Sequence, residues 1–204
     1  MMRASIFLLP LVLGGCISLL PEPPPPPRVF VLEAADVAPL SQRIDATIAV
    51  AQPTGERTIM GTDVIWRTGD ELAYVAQTQW SARSEFALQN MLIHTLARQG
   101  AFSAATRAGE GRAHYEVRWD VLDFEVREDS MQARFVADVR IVASPGRRII
   151  AQRVIEAEAP VSDRSSSIAT QALARAAREG AARIGVFAAE AASADQATQQ
   201  PAAN

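Results

Sequence analysis

The N-terminal segment ends in the one residue of the chain whose type and position indicate covalent chemistry. Cys16 is the only cysteine, and it follows the small residues Gly14 and Gly15. Small side chains leave the backbone open to a protease, and a thiol is a nucleophile that can form a thioether. The segment before them has Arg3 near its start and an apolar run over Ile6–Leu13, which is too short to span a bilayer. The pattern therefore predicts a secretory signal that is cut between Gly15 and Cys16.

The run Leu13-Gly14-Gly15-Cys16 resembles the bacterial lipobox. The resemblance implies that the Cys16 thiol receives a diacylglycerol, that a peptidase cuts before it, and that the new amine is often acylated. Two or three acyl chains, at about 0.8 kcal/mol per buried CH2, hold a protein on a membrane almost permanently. Ile17 stands where Asp would favour retention in the inner membrane, so the outer membrane is predicted. The alternatives are an ordinary cleaved signal with a chance cysteine, or an uncleaved anchor.

Three carboxylates are the candidates for acid–base chemistry in the rest of the chain. Asp120 and Asp123 lie beside a break in the alternation of a predicted strand, and Glu125 follows them. The strand pattern favours a solvated charged face over a catalytic pair. The two histidines, His94 within a predicted buried helix and His114 at a strand start, have no cysteine or second histidine at metal-binding spacing. No catalytic residue, no metal site and no enzyme are therefore predicted.

Composition limits both the class of protein and its partners. A chain of 204 residues with 49% hydrophobic and 21% charged residues fits one globular domain. The formal net charge is −3, and loss of Arg3 with the signal makes the mature chain more negative. Nucleic acid is excluded as a partner because phosphate binding needs a basic face. With Cys16 acylated, no thiol remains for a disulfide, so the fold depends on packing alone.

The chain divides into four predicted segments. Residues 1–15 form the signal, and residues 16–28 carry the acylated cysteine and a proline-rich tether. Residues 29–190 form the domain, and residues 191–204 are an Ala/Gln/Ser-rich tail that is predicted to be disordered. The proline run favours an extended rod of about 3.1 Å per residue, which makes a spacer on the order of 30 Å. A proline-rich ligand for a partner protein is the other interpretation of the tether.

The domain is predicted to be α/β, a single compact domain with a mixed, largely antiparallel sheet packed by a central helix and a long C-terminal helix. Alternating apolar residues mark His114–Val126, Met131–Ile141 and Ile149–Ala159, with polar turns between them, which predicts an antiparallel meander. The alternation slips by one residue near Val121, and a one-residue slip would exchange the two faces of the strand. A β-bulge is therefore predicted there.

Two helices are predicted to cover this sheet. The central helix spans about Arg83–Gln99, with Ser81 or Ser84 as its N-cap and Gly100 as its C-cap. The long C-terminal helix spans about Arg164–Glu190 and has a face of small apolar residues that would allow close packing on the sheet.

Three aromatic residues, Trp66, Tyr74 and Trp80, fall close together before the central helix. Burial in the core is the default interpretation of each. The alternative is an exposed aromatic patch that contacts a partner protein or lipid.

The order of these features resembles the ABC-type transport auxiliary lipoproteins, the PqiC-like family that accompanies MCE-domain lipid transporters. The resemblance begins at Cys16 and Val29–Leu32, and it is most specific over Thr58–Phe102. There short strands, Tyr74 and Trp80 precede a helix rich in leucine that ends in Gly-Ala-Phe. The resemblance covers nearly the whole mature chain.

The resemblance implies a periplasm-facing lipoprotein of the outer membrane that works with an MCE-domain protein, an ABC permease and an ATPase. Its cargo would be phospholipid or a related lipid, and the family offers no catalytic residues to transfer. The alternative function is a structural or regulatory outer-membrane lipoprotein that serves peptidoglycan, secretion or lipopolysaccharide assembly. The sequence is also compatible with a homo-oligomer.

Overall fold

The computed structural model describes residues 25–34 and 36–199, so the signal, Gly15, Cys16 and most of the tether lie outside the described residues. The described chain contains nine strands and two helices in one α/β domain, which confirms the predicted fold class. The elements are β1 (Arg28–Phe30), β2 (Ile44–Val50), β3 (Thr54–Gly55), β4 (Asp63–Thr68), β5 (Glu71–Trp80), α1 (Ser84–Gln99), β6 (Phe102–Arg107), β7 (Tyr115–Arg127), β8 (Gln132–Ala143), β9 (Arg148–Pro160) and α2 (Ser166–Gln199).

The sheet is mixed and is built around β7. On one side β7 pairs antiparallel with β8, and β8 pairs antiparallel with β9, which is the predicted meander. On the other side β7 pairs in parallel with β2, β3 and β4 in succession along its length. β6 lies outside β2, β5 lies outside β4, and β1 pairs in parallel with the end of β5. Both helices pack on one face of this sheet, and the opposite face of β7–β9 carries charged side chains.

The predicted bulge in β7 is confirmed. Val121 lies opposite Ala137, but Asp123 lies opposite Val136, so one residue of β7 has no partner in the register. That residue is Leu122, which is half exposed. The bulge explains how buried side chains can stand at odd positions before it and at Phe124 after it, on one continuous face.

Helix α1 ends as predicted but begins differently. Gly100 adopts a left-handed conformation (φ 62°), and its N–H donates to the Leu96 carbonyl at 3.1 Å. Glycine suits this position because a Cβ disfavours positive φ. At the other end the N-cap residue is Arg83, with no side-chain capping bond. The expectation that Ser81 or Ser84 caps the helix is wrong, because Ser84 is the first helical residue and is fully buried.

Small residues bring α2 close to the sheet. A Cβ built at Gly180 would lie closer than 3.0 Å to the ring of Phe135 on β8, so a hydrogen is all that fits there. Gly185 is similarly close to the side-chain amide of Gln99 on α1. In the described part of the chain, neither helix combines the length and hydropathy needed to cross a membrane. The buried alanines of α2 are Ala169, Ala172, Ala174, Ala176, Ala177, Ala181, Ala188, Ala189 and Ala192.

The expected disordered tail after residue 190 is wrong over residues 191–199, because α2 continues to Gln199. Asp195 is buried there and forms an ion pair with Arg148 at the start of β9. It also accepts hydrogen bonds from the Tyr115 hydroxyl at 3.3 Å and from the Gln199 amide at 2.6 Å. A polar contact to β7 and β9 thus holds the last turns of the helix on the domain.

This contact predicts a loss of stability in alkali. Burial, and then the negative charge of Asp195, raise the pKa of Tyr115 above its usual value. Above about pH 10 the unfolded chain loses the Tyr115 proton while the folded chain keeps it, so stability falls as pH rises. The chain contains no lysine, which leaves few other groups to titrate there. We expect Tyr115→Phe to flatten the dependence of the urea midpoint on pH in this range. An equally steep dependence in the variant would refute the assignment.

Candidate functional site

The three aromatic residues considered as a contact patch have different environments. Trp80 is buried and stacks on Phe124 with 5.6 Å between ring centroids, so it belongs to the core. Trp66 is half-buried on β4, whereas Tyr74 on β5 is 60% exposed. Of the three, Tyr74 offers the most surface to a partner. Leu72, two residues before it, is 43% exposed and adds a second apolar side chain to the β4–β5 hairpin.

The three candidate carboxylates lie on the face of the sheet opposite the helices. Glu125 is only 1% exposed. Its Oε1 accepts hydrogen bonds from Nε of Arg67 at 2.7 Å and from Nε of Arg127 at 3.2 Å. The hydrogen bond and the charge of Glu125 raise the pKa of Arg67, although burial opposes this. The Glu125 carboxylate therefore lies between two arginines, and its hydrogen bond with Arg67 joins β7 to β4.

The other carboxylates of this face also have arginine partners. Asp120 pairs with Arg140 and accepts a hydrogen bond from the Thr54 hydroxyl. Asp123 pairs with Arg127 at 3.2 Å and with Arg134 at 3.0 Å. Arg134 reaches on to Glu156 and Glu158 of β9, so one guanidinium connects β7, β8 and β9. Arg134 was not among the residues predicted from the sequence to have a role, although its alternation with apolar neighbours on β8 was a signal for this face.

The ion pairs of this face differ in burial, so two similar substitutions are predicted to change the stability of the domain by different amounts. We expect Glu125→Gln to destabilise the domain by about 2 kcal/mol, because it removes the negative charge that two arginines share in a buried position. Glu158→Gln is the matched control. That side chain is about half exposed, and loss of its pair with Arg134 should cost less than about 1 kcal/mol. Urea unfolding of both variants measures the difference, and equal losses would contradict it.

The two histidines lie on different elements of the fold, His94 on α1 and His114 just before β7. His94 is exposed, although the helix α1 that carries it was predicted to be well buried. His114 accepts a hydrogen bond at Nδ1 from the Thr47 N–H at 3.1 Å and lines a hollow of about 570 Å³. Within residues 25–34 and 36–199, no three His, Cys, Asp or Glu side chains converge on a position that could hold a metal ion.

An apolar groove of about 480 Å³ lies between the loop before β2, strand β9 and helix α2. Arg153 and Arg183 stand at its rim, and each is paired with a glutamate of α2 at 3.4 and 2.9 Å. The rim charges are thus neutralised within the fold. The groove is lined by Val37, Ala38, Leu40, Gln99, Arg153, Ile155, Glu179, Ala182, Arg183 and Val186.

Solved structures that are similar to this chain include protein XCC0632 from Xanthomonas campestris, described as a DUF330 family member. It is 18% identical with a TM-score of 0.75, and the match covers 85% of this chain and 100% of that one. An uncharacterised protein is 14% identical with a TM-score of 0.65, over 80% of this chain and 99% of that one. A PelC dodecamer from Paraburkholderia phytofirmans is 9% identical with a TM-score of 0.46, over 76% and 94% of the two chains.

The search of curated proteins finds no match to the chain. One family model does match, over residues 30–185, and its description is "ABC-type transport auxiliary lipoprotein component". The matched range begins in β1 and ends within α2, so it contains the sheet, the central helix and most of the long helix.

Proposed function

Because the chain belongs to the family of ABC-type transport auxiliary lipoprotein components, we propose that it docks an MCE-type lipid transporter to the outer membrane. In this proposal the domain faces the periplasm and is anchored through Cys16. It binds the MCE-domain protein together with the ABC permease and ATPase, which supply the energy. The cargo is phospholipid or a related lipid, and the domain itself catalyses no reaction.

The observation that carries the proposal is the match over residues 30–185, downstream of a lipobox-like sequence that ends at Cys16. The two features assign separate tasks to separate segments. The acyl chains would fix the chain to a membrane, the proline-rich stretch would set the distance of the domain from it, and the domain would present a folded surface to partners. This division suits a docking component.

The arrangement of charged side chains supports a role without catalysis. General acid–base catalysis needs a titratable group that can reach a substrate proton. Asp120, Asp123 and Glu125 instead each bind an arginine of the same sheet face. They serve to hold strands together, and this leaves binding as the function that the domain surface supports best.

Affinity purification of the full-length acylated protein from its native membrane in mild detergent tests the proposal, with partners identified by mass spectrometry. We expect to recover an MCE-domain protein with an ABC permease and ATPase. A Cys16→Ser variant is the matched control, since it keeps the domain and loses the anchor. Recovery of the permease and ATPase without any MCE protein would refute the MCE link. Recovery of only peptidoglycan, secretion or lipopolysaccharide-assembly components would favour the alternative function.

A further inference from the structure

The hollow of about 570 Å³ beside His114 lies at the end of the sheet where β7 begins. β6 and β7 pair in parallel with opposite sides of β2, and Ile48 of β2 has a partner in each of them. Residues 108–114 must therefore cross β2 in one short segment. The hollow is bounded by this segment, by Ala49 and Glu116 on the strands, and by the turn between β8 and β9. Its volume is within the range of about 300–1,000 Å³ that is typical of ligand pockets.

His114 is held in the wall of this hollow by three hydrogen bonds. Its backbone N–H donates to the Thr47 carbonyl at 3.0 Å, and its carbonyl accepts from the Ser144 N–H at 2.8 Å. Its ring Nδ1 accepts from the Thr47 N–H at 3.1 Å. An accepting Nδ1 carries no hydrogen, so the ring hydrogen is on Nε2. This Nε2–H has no acceptor among the described residues, and it is a positioned donor for a ligand.

The hollow also contains a guanidinium group that no carboxylate neutralises. Arg112 lines the hollow, and within the described residues it forms no ion pair. The carboxylates nearest to it in the sequence already have partners. Glu116 pairs with Arg118 at 2.7 Å, and Glu110 pairs with Arg107 at 3.0 Å. The charge that remains in the hollow is therefore positive, although the net charge of the whole chain is −3.

Further hydrogen-bond donors come from two separate segments. The backbone N–H groups of Arg112 and Ala113 have no acceptor in the part of the chain that the structure describes. The Ser144 hydroxyl, in the turn between β8 and β9, is likewise without a partner among these residues. Arginine and backbone N–H groups are common partners of phosphate in proteins. A phosphate group has three or four oxygens that point in different directions, so it can accept from more of these donors than a planar carboxylate can.

We propose that this hollow binds a phosphate group, with the Arg112 guanidinium and the Nε2–H of His114 as its main donors. The phosphate is either a free ion or part of a lipid headgroup, since both present the same oxygens. Small residues leave room for the group that the phosphate carries, and a Cβ added at Gly109 would have no atom within 4 Å. This inference goes beyond the proposed function, because the site would bind phosphate whichever transporter the chain serves.

Titration calorimetry of the full-length acylated protein, in a nonionic detergent and a phosphate-free buffer, tests the site. Inorganic phosphate is the probe for the free ion, and glycerophosphoethanolamine is the probe for a headgroup without its acyl chains. We expect saturable binding at one site per chain, and the probe that binds more tightly identifies the source. Arg112→Gln should weaken binding about tenfold or more, because it removes a charge-assisted hydrogen bond.

Arg57→Gln is the matched control for the loss of charge. Arg57 is exposed between β3 and β4, does not line the hollow, and has no ion pair within the described residues. The affinity of this variant should equal that of the unsubstituted chain. Equal losses in the two arginine variants would show that only the overall charge matters, and would overturn the proposal. The absence of binding by both probes would do the same.

Two substitutions of His114 separate ligand binding from support of the fold. His114→Asn keeps an acceptor near the position of Nδ1 for the Thr47 N–H, but it removes the donor at Nε2. His114→Gln keeps a donor near the position of Nε2 and removes that acceptor. We expect His114→Asn to bind about tenfold more weakly than the unsubstituted chain with little change in the urea midpoint. His114→Gln should bind more tightly than His114→Asn, even if its urea midpoint is lower. The reverse order of affinities would refute the role of Nε2, and none of these results depends on the recovery of transporter components.

Discussion

A Cys16→Ser variant is expected to keep a folded domain and to lose its stable attachment to the membrane. A serine hydroxyl cannot form the thioether, so no acyl chain is attached at residue 16. Two or three chains, at about 0.8 kcal/mol per buried CH2, give almost irreversible binding, whereas the mature chain without them has only surface contacts. The expected result is a protein that either keeps residues 1–15 or is released from the outer membrane. Membrane fractionation and intact mass measure both outcomes.

The matched control is Ile17→Asp, which keeps the cysteine. This variant should be processed and acylated like the natural chain, but it should shift from the outer to the inner membrane. Together the two variants separate attachment from sorting. Unchanged mass and unchanged outer-membrane fractionation of Cys16→Ser would remove the basis for an acyl anchor.

Gly180→Ala is expected to destabilise the domain, against the trend for helices. Helix propensity alone favours alanine over glycine by about 1 kcal/mol. The new methyl group, however, would meet the ring of Phe135, which is fully buried and packs edge-on against Phe124. A ring held in this way cannot move aside, so α2 would have to shift away from β8. We expect a net loss of about 1–3 kcal/mol in urea unfolding.

Two variants make this prediction specific. In a Phe135→Leu background the added methyl should cost less, because a smaller side chain leaves room, and the double-mutant cycle should show coupling. Gly111→Ala is the control, since no atom lies within 4 Å of the position of its new methyl group. It should change stability by less than about 1 kcal/mol. If Gly180→Ala stabilised the domain as propensity suggests, the close approach of α2 and β8 would be wrong.

The sheet could be predicted where the alternation of apolar and polar residues shows which face of the strand each side chain occupies. In β7 the change of phase after Val121 was visible in the sequence because every second residue is apolar, and the bulge at Leu122 follows from it. The meander of β7, β8 and β9 follows from the same signal and its polar turns. The parallel partners of β7 lie far away in the sequence, and no local pattern identifies them.

The last turns of α2 were missed because their composition is typical of disorder. Residues 191–199 contain no large apolar side chain, so their burial cannot be predicted from hydropathy. In the structure Ala192 packs because it is small, and Asp195 is buried because Tyr115 and Arg148 bind it. Both reasons depend on residues of distant strands.

The sequence also could not predict that Tyr74 is exposed whereas Trp80 is buried. Both stand at even positions of β5, so a regular strand would place them on one face. The pairing with β4 shifts between Tyr74, opposite Ile65, and Gln79, opposite Asp63. Gln77 has a positive φ of 51° within this irregular stretch. The alternation of side chains along β5 is therefore interrupted between the two aromatic residues, and no break in the apolar pattern of the sequence indicates it.

The short pairing of β1 has a mechanical consequence. If the acyl chains hold Cys16 in a bilayer while a partner holds the domain, the pull between them enters the fold at Arg28. Only Arg28, Val29 and Phe30 pair with β5 there, and Leu32 is the first buried residue after them. Under load these three pairs would give way first and lengthen the tether by about 3.3 Å per residue. The tether would thus become longer at its junction with the domain, while the core of the domain stayed intact.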